Sequence, residues 1–240
     1  MGRGVRVPHE RLVIRGLTLI ELHNIDCMEA MKQMPDKAFD LAIVDPPYGI
    51  GMDNSNKRTK PSRPNSYTEY PDFRYHDSDW DSERPNGQYF SELFRVSKNQ
   101  VVWGANYFCD LLLPGTGWIF WNKLNGLNNC FSDGEFAFSS KGIQSRYFEC
   151  SQFDALRGGK DRVHPTQKPV KLYEWLLRNY AKEGDKILDT HLGSGSIAIA
   201  CYNMGYSLTG YEIDKDYYEA AIKRLEEHQR QGRLFDAVSV

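Results

Sequence analysis

The stretch KILDTHLGSGSIAIACYNMGYSLTGYE, from Lys186 to Glu212, decides the fold class. Lys186 to Asp189 reads as a short strand. Gly193 and Gly195 then permit a tight turn and close backbone approach. Ile197 to Met204 reads as a helix closed by Gly205. Ser207 to Tyr211 is the next strand, with Glu212 at its end. Strand, glycine turn, helix, strand and terminal acid make the repeating unit of an α/β fold with a doubly wound, mostly parallel sheet. An acid about 20 residues beyond the turn grips ribose hydroxyls in such folds. The third glycine of a dinucleotide fingerprint would fall at Ala198, and no P-loop lysine follows, because Gly195-Ser196 runs into Ile197. The expected ligand is an adenosyl group without phosphates.

The alternation continues outward from this unit. Leu17 to Leu22 reads as a strand, followed by a helix from Met28 to Met34 that Pro35 stops. Leu41 to Val44 is a continuous apolar run, as a central parallel strand requires. Gln88 to Val96 reads as a helix and Gln100 to Gly104 as a strand, with further strands at Trp118 to Trp121 and Glu135 to Ser139. Pro169 opens a helix that places Leu172, Tyr173, Leu176 and Tyr180 on one face. Asp214 caps a last helix with Tyr218, Ala221, Ile222 and Leu225 on one face. At 240 residues the chain suits one large domain. It is read as a single Rossmann-like domain over residues 1–240, with a flexible tail over 1–16, a mobile loop insertion over 49–85 and an irregular segment over 123–163.

The formal net charge is −2 at pH 7, so a polyanionic partner has to be met by a local basic patch. Lys57, Arg58, Lys60 and Arg63 supply one, directly after the apolar run at Leu41 to Val44. The five Cys contain no C-x-x-C pair, which argues against a zinc site or a disulfide framework. Reduced thiols suit a cytoplasmic protein. No apolar run approaches membrane-span length, and the N-terminus lacks the apolar block of a signal peptide.

Asp45-Pro46-Pro47-Tyr48 ends the apolar run. The prolines fix φ and remove two N–H donors, so carbonyls at this strand end can face a ligand without competition. Asp45 is an anionic acceptor. With the Pro46 carbonyl it suits the two N–H groups of an exocyclic amine, and Tyr48 offers a flat face for stacking. Such a site works by positioning and electrostatics, with no covalent intermediate. A base held this way must first leave the duplex stack.

These residues resemble the amino-group DNA methyltransferases, in the permuted order where the tetrapeptide precedes the glycine loop (the β class). The resemblance covers Leu17 to Met52 and His164 to Leu225, with a fainter match from Tyr89 to Lys123. It implies S-adenosyl-L-methionine as cofactor and double-stranded DNA as substrate, methylated at a specific sequence on the N6 amine of adenine after base flipping. It assigns catalysis to Asp45, Pro46, Pro47 and Tyr48. The block His164-Pro165-Thr166-Gln167-Lys168-Pro169 is similar to the family's segment at the methionine end of the cofactor, which brings in His164, Thr166 and Lys168. Asn24-Ile25-Asp26-Cys27 is similar to its Gly-Asp-Cys segment, which brings in Asp26, with Ile25 in place of glycine. Asp189, His191, Gly193, Ser194, Gly195, Ser196 and Glu212 align with the glycine loop and the ribose acid, and Asp45 borders the same ligand. Thr190-His191 departs from the family's Pro-Phe, and Ser196 from its Thr. His191 is expected to stack or hydrogen-bond where the phenylalanine packs. The segment 123–163 is the expected short target-recognition segment. A second copy of the chain and a cognate restriction endonuclease are partners that the resemblance allows.

N4-cytosine methylation is the runner-up, since aspartate at the first position is the family's usual adenine form. C5-cytosine methylation needs a nucleophilic Cys, usually after Pro, and no Cys here follows Pro. Protein glutamine methylation usually has Asn in place of Asp45. A nucleic-acid-binding module without catalysis is the remaining class.

Overall fold

Nine strands make one sheet among the described residues: β1 (Arg11–Arg15), β2 (Leu19–Asn24), β3 (Phe39–Val44), β4 (Ser97–Trp103), β5 (Gly117–Asn122), β6 (Gly134–Ser139), β7 (Arg146–Glu149), β8 (Lys186–Asp189) and β9 (Ser207–Glu212). Their order across the sheet is β1-β2-β9-β8-β3-β4-β6-β5-β7. The helices are α1 (Cys27–Met31), α2 (Gly87–Val96), α3 (Val170–Tyr180), α4 (Ser196–Met204) and α5 (Lys215–Val238). The structure is a computed structural model that describes residues 11–15, 18–51, 81–112, 117–125, 132–142, 144–151, 163–164 and 166–238. No helix among them is long and apolar enough to cross a membrane.

The central strands are apolar on both faces because both faces are covered. Leu41 and Ile43 of β3, Val101 and Trp103 of β4 and Ile187 of β8 pack with α3, α4 and α5. The alternate residues Ala42, Val44, Val102 and Leu188 pack with α1 and α2. Each fully buried Ile, Leu or Val contributes roughly 1.5–3 kcal/mol, and a one-residue slip of any central strand would exchange its two faces. The doubly wound sheet expected from the 186–212 unit is the observed architecture.

Parallel pairing carries the functional geometry. β3 pairs with β8 through Leu41 opposite Ile187 and Ala42 opposite Leu188. β8 pairs with β9, also parallel. Three strands distant in sequence therefore end at one edge of the sheet. From β3 the chain winds outward to β4, and from β8 it winds the other way to β9. A crevice opens where the winding reverses, outside the carboxyl ends of the strands.

Two expectations need correction. Arg11–Arg15, expected within a flexible tail over 1–16, is β1, antiparallel to β2 from Arg11 opposite His23 to Arg15 opposite Leu19. It covers the otherwise open edge of β2, and Leu12 packs against the core. The segment 123–163, expected to be irregular beyond one strand, also contains β7, parallel to β5 from Ile119 opposite Arg146 to Asn122 opposite Glu149. Three of its four residues are exposed, so it has no apolar run to reveal it; backbone pairing with β5 holds it. A smaller difference is α1, which ends at Met31 rather than Met34.

The second glycine of the turn is set by packing. Gly195 sits at φ +70°, and a Cβ there would stand 2.9 Å from Cβ of Ala221 in α5. Gly195→Ala is expected to cost roughly 1–3 kcal/mol through strain and overpacking. Urea unfolding followed by circular dichroism measures it as a lower midpoint with an unchanged slope.

Candidate active site

The tetrapeptide follows β3, the glycine turn follows β8, and Glu212 closes β9. Between them lies a cleft lined by Asp26, Cys27, Asp45, Pro47, His164, Thr166, Lys168, Tyr173, Thr190, His191, Leu192, Gly193, Ser194, Glu212, Ile213 and Tyr217, among others. Ten of these positions were singled out from sequence. Pro46, Tyr48, Asp189, Gly195 and Ser196 are not in the lining. Asp189 is buried beneath it, where its Oδ1 accepts the His191 N–H at 3.0 Å. Gly195 packs on α5, and Ser196 Oγ accepts from Arg224 Nη1 at 2.8 Å. These three shape the turn from below. Lys57, Arg58, Lys60 and Arg63 lie outside the described residues.

The cofactor side is rigid and acidic. Glu212 accepts the Gly193 N–H at Oε2 (2.8 Å) and the Asp214 N–H at Oε1 (2.9 Å), so the acid fixes the turn it faces. Burial pushes its pKa up to about 7, against the pull of these N–H groups. Burial likewise pushes Asp189 up to about 8. Asp26 caps α1, accepting the Met28 N–H at 2.8 Å. The Thr190-His191 pair has its own anchors. Thr190 Oγ1 lies 2.7 Å from Tyr89 Oη and 2.9 Å from His191 Nδ1, and the His191 ring meets Tyr89 edge-on at 5.4 Å. Burial lowers the His191 pKa to about 4, so its imidazole is neutral at pH 7. Across the cleft the His164 ring packs against Tyr217 at 4.4 Å, with Nδ1 3.1 Å from Thr166 Oγ1.

The tetrapeptide side is clamped. Tyr48 Oη donates to Asp45 Oδ1 at 2.6 Å. Its ring stacks on Tyr107, with centroids 5.0 Å apart and planes 18° apart. It also lies against Gly104, where a Cβ would stand only 2.1 Å from Tyr48 Cε1. Asp81 is buried and its Oδ1 accepts two backbone N–H groups, from Tyr48 at 2.7 Å and Gly49 at 2.9 Å, while its carbonyl accepts the Gly51 N–H at 3.2 Å. Arg84 pairs with Asp110 at 2.6 Å and donates to the Tyr107 carbonyl at 2.6 Å. One short segment thus ties Tyr48 to the residue that stacks on it.

Lys168 lines the cleft and reaches across to the tetrapeptide. Its Nζ ion-pairs with Asp45 Oδ2 and, at 3.0 Å, with Glu135 Oε2. Lys123 Nζ reaches the other oxygen of Glu135 at 2.5 Å. The Lys168 side chain is only 2% exposed, so this pairing is what permits its charge. Burial favours the neutral amine, yet the two carboxylates outweigh it and hold the Lys168 pKa above the ordinary lysine value. For Glu135, burial acts upward, but the two ammonium groups prevail and hold it at about 2. Asp45, with one ammonium against burial and the nearby Glu135 charge, is raised. Glu135, Lys123 and Asp81 carried no local signal in sequence, because each acquires its role only from a contact across the fold.

Residues 74–223, more than half of the chain, match the N6/N4 methyltransferase family, described as DNA methylase. The match includes Asp81, Glu135, Lys168 and the glycine turn; the tetrapeptide lies outside the matched residues, upstream of them. The chain is 25% identical over 243 residues to the type II methyltransferase M.HpaI of Haemophilus parainfluenzae, covering 84% of this chain and 72% of that one. It is 25% identical over 249 residues to the type II methyltransferase M.HinfI of Haemophilus influenzae, covering 84% and 67%. Among solved structures, the M1.HpyAVI–SAM complex superposes with a TM-score of 0.52 at 20% identity, covering 86% of this chain and 99% of that one. The PvuII DNA methyltransferase (cytosine-N4-specific) superposes with a TM-score of 0.55 at 14% identity, covering 85% and 86%. At these identities the two structures speak for the fold alone. The family match, on a sheet whose winding reverses at this cleft, makes the chain a member of the N6/N4 amino-group DNA methylases.

Proposed function

We propose that this DNA methyltransferase acts on the N6 amine of adenine, at a specific sequence of double-stranded DNA, on a base drawn out of the helix. The observation that supports the reading is the common cleft of Asp45 and Glu212, an amine acceptor and a ribose acceptor brought together from remote parts of the chain. The family's methyl donor, S-adenosyl-L-methionine, supplies an electrophilic methyl group when bound.

The residues present fit that donor. Asp26, Asp45 and Glu212 give the cleft an acidic lining, and the ammonium of Lys168 is already shared between two carboxylates. Such a lining favours a hydroxyl-bearing cation and disfavours phosphate. Glu212 would hold the ribose hydroxyls, Asp26 and Ile213 border the adenine end, and His164 and Thr166 the amino-acid end.

On the base side, Asp45 and the Pro46 carbonyl would accept the two N–H groups of the amine and direct its lone pair at the donor. As the new N–C bond forms, the nitrogen sheds a proton, and Asp45, raised by burial, is placed to take it. Extruding the base costs a few kcal/mol. Stacking on Tyr48 returns roughly 1–3 kcal/mol, so contacts to phosphate must supply the remainder. His191, neutral and held by Thr190, takes no part in proton transfer in this reading.

Labelled donor incubated with DNA, followed by digestion to nucleosides, is expected to put the label in N6-methyl-2′-deoxyadenosine; label in N4-methyl-2′-deoxycytidine would reject the adenine assignment. Asp45→Ala is expected to lower turnover by about 100-fold or more while the donor's Kd stays within about twofold of wild type, where 1.4 kcal/mol would be a tenfold change. Turnover close to wild type would remove Asp45 from the chemistry. Glu212→Ala should weaken donor binding several-fold by calorimetry. Because the ionised carboxylate is the better acceptor and its pKa is about 7, wild-type affinity should rise between pH 6 and 8. That rise should flatten in the variant; an unchanged affinity and pH dependence would rule out the ribose role.

A further inference from the structure

We infer that Glu135 is a positioning residue for methyl transfer, the second acceptor that lets the Lys168 ammonium release Asp45 Oδ2 to the incoming amine. The inference rests on the amine-methylating reading above.

Both oxygens of Asp45 are engaged. Tyr48 Oη donates to Oδ1, and Lys168 Nζ pairs with Oδ2. A neutral amine is a weaker donor than an ammonium, and an oxygen already held by a cation accepts from it less strongly. Lys168 has other partners within reach, with Glu135 Oε2 at 3.0 Å and Tyr48 Oη at 3.3 Å. The rings of Trp103 and Tyr48 stand 5.4 Å and 5.9 Å from the same nitrogen and add a polarisable wall on two further sides. A small shift toward Glu135 would keep the buried cation paired while uncovering Oδ2. Without the Glu135 charge, a shift away from Asp45 would leave an ammonium buried at 2% exposure with no counter-ion. Lys168 would then stay on Asp45.

The way Glu135 is held suits this role. It is the second residue of β6, where it pairs with Trp121 of β5, and Lys123, the residue after β5, grips its far oxygen. The near oxygen is thereby aimed at Lys168. Two carboxylates and two ammonium groups balance within the site. A buried quartet of this kind adds little net stability over apolar packing, so stability alone does not call for it. Lys123 and Lys168 together hold Glu135 ionised below the range in which Asp45 titrates, and the receiving carboxylate is charged whenever Asp45 is.

The test compares Glu135→Gln with wild type in the full chain, using labelled S-adenosylmethionine and substrate DNA. Methylation by wild type tests the underlying reading on its own; its absence would defeat that reading and this inference with it, whereas a failure in the variants alone defeats only the inference. Given wild-type activity, Glu135→Gln is expected to lower kcat roughly 10- to 100-fold with donor affinity unchanged by calorimetry. The acid limb of its pH–rate profile should also move to lower pH, because the whole charge of Lys168 then falls on Asp45. A purely structural role would weaken donor binding together with kcat, so the unchanged donor affinity is the readout that separates the two. Glu135→Asp keeps the charge and provides a second reading if the Gln variant does not fold. It should retain more activity than any neutral substitution, with the acid limb where wild type has it. Turnover of Glu135→Gln within twofold of wild type, an acid limb that does not move, or an acid limb displaced in Glu135→Asp would each overturn the inference.

Discussion

The parallel pairing of β3 with β8 is the constraint on which the site depends. Two paired residues on each strand, Leu41 and Ala42 against Ile187 and Leu188, bring together halves of the chain separated by most of its length. The register admits little slippage, because each strand is buried on both faces and a shift by one residue would turn every side chain to the wrong layer. Once that register is fixed, Asp45 and the glycine turn end at the same edge, and the reversal of winding leaves a crevice between them. The order of the two halves along the chain is immaterial to this geometry. The tetrapeptide half can precede the glycine-turn half, as it does here, because adjacency in the sheet and adjacency in sequence are independent.

The crevice concentrates acid in a place where water is scarce. Asp189 and Glu212 are pushed upward by burial, Asp45 is raised, and Glu135 is held down by two lysines. The four carboxyl groups thus have different proton affinities despite their proximity. That spread separates an ionised holder of a cation, an acceptor whose proton affinity is raised, and acids that shape a backbone turn. The charges in the tetrapeptide half come with partners from separate elements, which is the condition for charges to be tolerated away from solvent.

Much of the frame was legible in the sequence because it follows from local patterns. Leu41 to Val44 of β3 is an unbroken apolar run, α3 and α5 carry one-faced spacing, and Gly205 marks the close of α4 at φ +76°. Both lips of the cleft were legible for a similar reason: a tetrapeptide with two prolines and a turn with two glycines are unusual backbones, and each has a narrow range of uses. The parts that escaped have no local signature. β7 is four mostly exposed residues held by backbone pairing. Lys168 reads as one cation in a motif until the fold sets it between Asp45 and Glu135. Asp81 reads as one more acid in an acidic run, and only tertiary contact shows it burying itself under Tyr48 and Gly49. Gly195 was legible as a glycine, but its reason, the approach of Ala221, lies on another helix.

The bond from the Gly51 N–H to the Asp81 carbonyl has a consequence for how such a protein can diversify. The chain departs and comes back at nearly one point, so whatever runs between those two residues is stapled at its base. Lengthening a closed excursion costs only about 0.6 kcal/mol per doubling, and the staple shields Tyr48 from changes beyond it. New sequence grafted between the two anchors would reach outward from a fixed stem, leaving the chemistry behind it undisturbed.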